Sequence, residues 1–344
     1  MYQQNIPQER SSTCFSPAKS CLNALERAAC SLPTLIERGE VSTTINGLLE
    51  RHENGLADLL ECGSTALKKT ALLDLVMFQR ALEMGAGATP PQLAQWIAQF
   101  ARDLDTLPTL TYELVILSNP ERAVRTFTGG QVGEIERAFY IGHQVIEHRF
   151  EELSTTLMRA RDLLESGNRR AGLLLVEHGR DVLRGATESF HHGFAVMDPA
   201  AFNAFRVYLH GTSGYEGPSG LHSATIHAAR FLIFGDSLGF RADFIERHRP
   251  YYPTCHKEIL ETGLEAVRDK RSLVDIARGT TEPDVRRTVG ELSEEMRLHT
   301  AKHFGVVRRM LTDLSGPGTG GQPMGTFLRQ AVDVMKEVSD ELLR

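Results

Sequence analysis

The chain has few cysteines, and they follow no pattern. The five cysteines (Cys14, Cys21, Cys30, Cys62, Cys255) form neither a CxxC pair nor the CxxCH that tethers a haem covalently. An odd number also does not suit a disulfide framework, so reduced thiols are expected. Other catalytic signatures are missing too. There is no HExxH for zinc, no GxSxG nucleophile elbow, no DxDxDG calcium loop and no GxxxxGK[ST] phosphate loop. No apolar run approaches the roughly 20 residues that cross a bilayer, and Met1–Arg10 lacks the charged and apolar regions of a signal peptide, so a cytoplasmic protein without a membrane partner is expected. Basic excess is absent as well: 38 Lys and Arg against 44 Asp and Glu leave a formal charge of −6. That balance disfavours nucleic acid, whose binders gather cations on one face. A small-molecule partner fits better.

Strand signals are scarce, whereas helical periodicity recurs from about residue 17 to the end, which predicts an all-α fold. Ser16-Pro17-Ala18 opens a helix, and further helices are expected over 43–60, 64–83 and 90–103. Breakers fill 85-GAGATPP-91 and the stretch 105–132, placing a boundary near residue 125 between a helical N-terminal region (1–125) and a second region (126–344). A long helix over 134–165 carries Phe139, His143, Ile146, Phe150, Leu153 and Leu157 on one stripe. Helices over 169–192, after Asp198-Pro199, from His222 to about Phe234, over 284–312 and over 324–343 complete the expectation.

Thirteen histidines are more than usual, but only position gives one a function. His303 shares its helix with Val306, Val307 and Met310, so its imidazole projects into an apolar environment and needs a partner: a carbonyl, a carboxylate or a metal. His299 lies one turn earlier on the same face. Two glycine-rich loops, 211-GTSGYEGPSG-220 and 316-GPGTGG-321, read either as linkers or as places where backbone amides approach a ligand.

Several segments resemble, in order, the histidine-ligated haem dioxygenase superfamily, which includes tryptophan 2,3-dioxygenase and haem-dependent aromatic hydroxylases. They are 139-FYIGHQVIEHRFEELSTTLMRARDLLESGN-168, 198-DPAAFNAFRVYL-209, 219-SGLHS-223, and 303-HFGVVRRML-311 with 318-GTGG-321. The resemblance spans roughly 130–343. It implies a tryptophan 2,3-dioxygenase-like helical bundle around a non-covalent haem b, with His303 as proximal iron ligand and His299 as the runner-up. It also implies Thr319 and Gly320 over the haem near the substrate, with Ser223 in the SGLHS element beside it. The family's distal histidine is replaced by Glu134, and its carboxylate-clamping arginine falls on His227, with Arg230 one turn on. His143, on the core-facing stripe, is then the distal acid or base. The expected activity is oxidation of an aromatic amino acid or derivative with O2 or H2O2, ring hydroxylation being preferred. The alternatives are a tryptophan or indole dioxygenase and a non-catalytic haem sensor. A homo-oligomer, dimer or tetramer, is expected.

Overall fold

The structure is a computed structural model that describes residues 15–85, 87–195, 197–212, 214–238, 242–311 and 324–344. The described residues are helical apart from loops and one isolated bridge, Thr212 to Tyr215. The all-α expectation therefore holds. No described helix is long and apolar enough to cross a membrane. The chain divides into two compact units at Pro108/Thr109, ahead of most of the 105–132 breaker stretch.

The first unit consists of α1 (Phe15–Cys30), α2 (Leu32–Arg38), α3 (Val41–Cys62), α4 (Thr65–Met84) and α5 (Pro91–Asp103). Ser64 starts α4 by accepting the Leu67 amide on its hydroxyl. Every residue of α4 from Ala71 to Phe78 is buried, so this helix is the unit's core while α1, α3 and α5 pack against it. A helix apolar on all sides has to be surrounded in this way.

The second unit contains α6 (Gly130–Glu165), α7 (Arg169–Ala195), α8 (Pro199–Arg206), α9 (Ala224–Phe234), α10 (Ala242–His248), α11 (Lys257–Arg268), α12 (Leu273–Arg278), α13 (Pro283–Met310) and α14 (Met324–Leu343). Helices α10 to α12 lie where the sequence pattern predicted none. The apolar stripe of α6 faces inward as predicted. Phe150, Leu153 and Leu157 are fully buried with Val176 and Leu183 of α7 and Val289, Leu292 and Met296 of α13. Asp198 caps α8 by accepting the Ala201 amide at 2.9 Å, and Ser223 caps α9 by accepting that of Ile226. Helix α9 is buried along its whole length between α6 and α11, and the α11 contact needs Gly263: a Cβ there would lie 2.9 Å from the Ala228 backbone.

The segment after Thr109 is held by two residues of the 143-HQVIE-147 element. Gln144 Nε2 donates to the Ile116 and Asn119 carbonyls, both at 2.7 Å, and Glu147 accepts from Tyr112 Oη at 2.8 Å and from Thr225 Oγ1 at 2.7 Å. Between them Glu113–Leu117 forms a π-helical turn. Such wide turns persist where neighbouring contacts hold them, frequently beside functional sites.

Candidate functional site

A cavity opens inside the second unit among α6, α7, α8, α9, α13 and the π-helical turn. Its walls are mostly apolar and aromatic, with Phe139, Phe190, Phe194 and Phe202 prominent. Five nitrogen-bearing side chains reach it: His143 from α6, Arg206 from α8, Arg230 from α9, and His299 and His303 from α13. The stripe on α6 and the i, i+4 spacing on α13 therefore bring three imidazoles to one space, as the helical period requires.

The hydrogen bonds fix the tautomers of two of them. His143 Nδ1 lies 2.8 Å from the Phe139 carbonyl, which can only accept, so Nδ1 carries the hydrogen and Nε2 keeps its lone pair. His299 Nδ1 lies 3.1 Å from Thr187 Oγ1, whose own hydrogen goes to the Leu183 carbonyl at 2.8 Å, so His299 is again the donor at Nδ1. His303 makes no hydrogen bond to a described residue and rests edge-on against Phe190 at 5.3 Å. It is half-buried, its free surface facing the cavity, whereas His299 is only 4% exposed, wedged against Phe150 and Phe190.

All three rings are neutral. Burial, reinforced by the Arg230 guanidinium and then by His143, pushes His303 down to about 3. Burial, with His303 and then Arg230, does the same to His299, also to about 3. Burial takes His143 to about 4 against the opposing Phe139 carbonyl. Neutral imidazole is the form that binds a metal or accepts a proton. This depression also sets a pH dependence. Above pH 6.5 the three rings are neutral in both folded and unfolded chains. Below it the unfolded chain takes up protons that the folded chain refuses, so stability falls as pH drops from 6.5 toward 4 and on toward 3. The slope is at most about 1.4 kcal/mol per pH unit for each ring. Urea unfolding of the ligand-free protein at pH 7 and pH 5 should give a lower midpoint at pH 5. An unchanged or higher midpoint would show that these rings are not buried neutral.

The arginines are the decisive groups. Arg230 is 5% exposed, and no described residue offers it a hydrogen bond or an ion pair; its Nε is fully buried. Burial lowers its pKa to about 10, which still leaves it charged at neutral pH. Arg206 is half-buried and likewise meets no acidic partner among the described residues. Buried charges are ordinarily paired, because the desolvation they suffer is large. Among the described residues the cavity thus holds two guanidinium groups with no acidic partner, an arrangement that would suit an anionic ligand. No protein-family model matches the chain, and no curated protein matches it.

Of the other expected site residues, those that are described do not line the cavity. Glu134 is exposed near the start of α6, 3.5 Å from Arg137, and does not line the cavity. The buried acid of that turn is Glu136, which accepts from the Phe127 and Thr128 amides and from Tyr140 Oη. His227 is buried behind the cavity wall, with Nε2 3.0 Å from the Leu221 carbonyl and its ring among Phe231, Phe244 and Tyr252. Ser223 is buried as the α9 cap. Thr319 and Gly320, with the whole GTGG loop, lie outside the described residues. The 211–220 loop does reach the cavity, through Pro218, Ser219 and Gly220. Its path depends on Gly217, where a Cβ would collide with the Leu209 carbonyl oxygen. Arg206 lies in 198-DPAAFNAFRVYL-209, a segment that carries the resemblance without giving this arginine a role. Tyr112 was missed because it sits in a stretch read as breakers.

Proposed function

We propose that this cavity holds a haem b on His303 and oxidises an aromatic amino acid or close derivative, with ring hydroxylation as the preferred outcome. The observation that carries the reading is the buried Arg230, without a partner among the described residues, in an aromatic cavity with neutral imidazoles. The residues suit the group. His303 offers a neutral nitrogen with no competing hydrogen bond among the described residues, and aromatic walls suit both a macrocycle and an aromatic ring. Haem carries propionates and the substrate a carboxylate. Arg206 and Arg230 are the cations available to them, and a guanidinium binds either bidentately. When bound, the haem supplies the oxidising chemistry with O2 or H2O2, and the protein supplies orientation and a dry site.

His143 narrows to one role at rest. With Nδ1 tied to Phe139 and Nε2 unprotonated, it accepts a hydrogen bond from a phenolic hydroxyl or ring N–H, and burial keeps it neutral while it does so. Arg230 anchors the carboxylate, and Phe139, Phe194 and Phe202 hold the ring. The His299 pair with Thr187 leaves that ring oriented beside His303, the arrangement that makes it the runner-up ligand.

The test is spectral and then chemical. The purified full chain reconstituted with haem should show a Soret band that shifts with one class of aromatic amino acid. Turnover with isotope-labelled O2 or H2O2 should add a single labelled oxygen to the ring. A product carrying both oxygen atoms of O2 would establish dioxygenation instead. Haem binding without turnover would establish a sensor, and no Soret band would end the haem reading.

A further inference from the structure

A second cluster of donors, outside the cavity, is used by nothing above. Glu216 of the 211–220 loop, His222 just after it and His248 at the end of α10 bring one donor atom each within 4.8 Å of one another, the only such group among the described residues. Both histidines are fully buried, and Glu216 is half-buried. Glu216 Oε2 lies 3.2 Å from His222 Nε2 and 3.3 Å from His248 Nε2.

The hydrogen positions make this arrangement informative. His248 Nδ1 donates to the Phe244 carbonyl at 2.8 Å, so in the neutral ring Nε2 holds a lone pair, and that lone pair faces a carboxylate oxygen. His248 Nε2 has no hydrogen-bond partner among the described residues, nor does His222 Nδ1. Two lone-pair atoms at 3.3 Å repel each other unless a cation lies between them. Ligand bonds of about 2.0–2.2 Å in a tetrahedral shell put neighbouring donors about 3.3 Å apart, matching both distances to Glu216. A proton is the competing cation: it would make His248 an imidazolium paired with Glu216, and titration with Zn2+ separates the two.

We propose that Glu216, His222 and His248 form a binding site for a divalent transition-metal ion of the Zn2+ type. Two imidazoles and one carboxylate are a zinc donor set, and full burial of both rings leaves no room for the water-rich shell of a six-coordinate ion. The surroundings are braced for it: Tyr251 stacks on His222 at 4.7 Å, and its Oη accepts the Glu216 amide at 2.9 Å. The ion clasps α10 to the loop whose Pro218–Leu221 end lines the cavity, so it stiffens that wall.

The experiment uses the full chain treated with chelator, then titrated with Zn2+ alone. The expected result is saturable binding of one ion per chain with a rise in Tm, both reduced at least tenfold in apparent affinity by Glu216→Gln and by His248→Gln. The variant His303→Ala should bind Zn2+ as the wild type does, which separates this site from the cavity and from the haem reading. Zinc-edge X-ray absorption of the wild-type chain needs no variant to fold and should report imidazole and oxygen neighbours at about 2.0–2.2 Å. No saturable binding, or binding unchanged in both Glu216→Gln and His248→Gln, would overturn the proposal and leave a protonated His–Glu pair. Loss of binding in His303→Ala with retention in Glu216→Gln would overturn it in favour of the cavity histidines.

Discussion

Haem affinity in His303→Ala should fall by more than about a hundredfold, because even residues that only orient a metal-binding histidine typically contribute tenfold to a hundredfold. The remaining surface of α13 at that position consists of Val306 and Val307, which offer no ligand, and of Met310, whose thioether lies two turns further along the helix, while His299 is held by Thr187 and boxed by Phe150 and Phe190. A short side chain at 303 leaves a gap that free imidazole can enter, so added imidazole should restore much of the Soret band. The fold should survive, since His303 is half-buried against a cavity and bonded to no described residue. A variant that retains a full haem complement with the wild-type spectrum would remove His303 from the iron and transfer the assignment to His299, whose fixed Nδ1–H tautomer already presents Nε2.

Arg230→Leu should give effects of opposite sign on ligand and on protein. Losing a charge-assisted contact to a carboxylate costs about 1.5–3 kcal/mol, roughly tenfold to a hundredfold in affinity. The ligand-free protein, however, loses a buried charge that has no partner among the described residues, so its Tm should stay level or rise. Titration with an aromatic amino acid and with its decarboxylated amine distinguishes the causes: the amine should bind both proteins alike. His227→Leu serves as the comparison. His227 does not line the cavity, so it should leave affinity within a few-fold of wild type. If that variant abolished binding while Arg230→Leu did not, the clamp would belong to His227.

Most of the helical framework was legible because amphipathic period and capping residues are local. The α6 stripe, Asp198 at the start of α8 and the α13 pair of histidines all follow from spacing within one element. His143, His303 and Arg230 were found by combining that spacing with the family resemblance, and the fold gathers them in one cavity. What was not legible depends on long-range partners. Nothing local distinguishes Glu134, which faces solvent, from Glu136 two residues on, which is buried by amides and hydroxyls from 127, 128 and 140. Ser223 is spent on a helix cap, and His227 faces away from the cavity because α9 is buried on every side, so either face of it satisfies an apolar pattern. The π-helical turn at Glu113–Leu117 depends on Gln144, 28 residues away from Ile116, and a breaker-rich segment gives no warning of it. The Glu216–His222–His248 cluster joins a loop to a helix that periodicity did not predict.

If the cavity takes an anionic ligand as proposed, Arg206 and Arg230, which meet no acidic partner among the described residues, also bear on how that ligand arrives. The chain as a whole carries a formal charge of −6, so a small anion is repelled at a distance, while the low-dielectric cavity concentrates positive potential around Arg206 and Arg230. Capture is therefore a competition between far-field repulsion and near-field focusing, and added salt weakens the first before the second. Association of an anionic aromatic ligand should pass through a maximum with ionic strength, whereas that of a neutral aromatic ligand should be indifferent to it. On the proposed reading the cavity would sort its ligands by charge before any contact with the imidazoles.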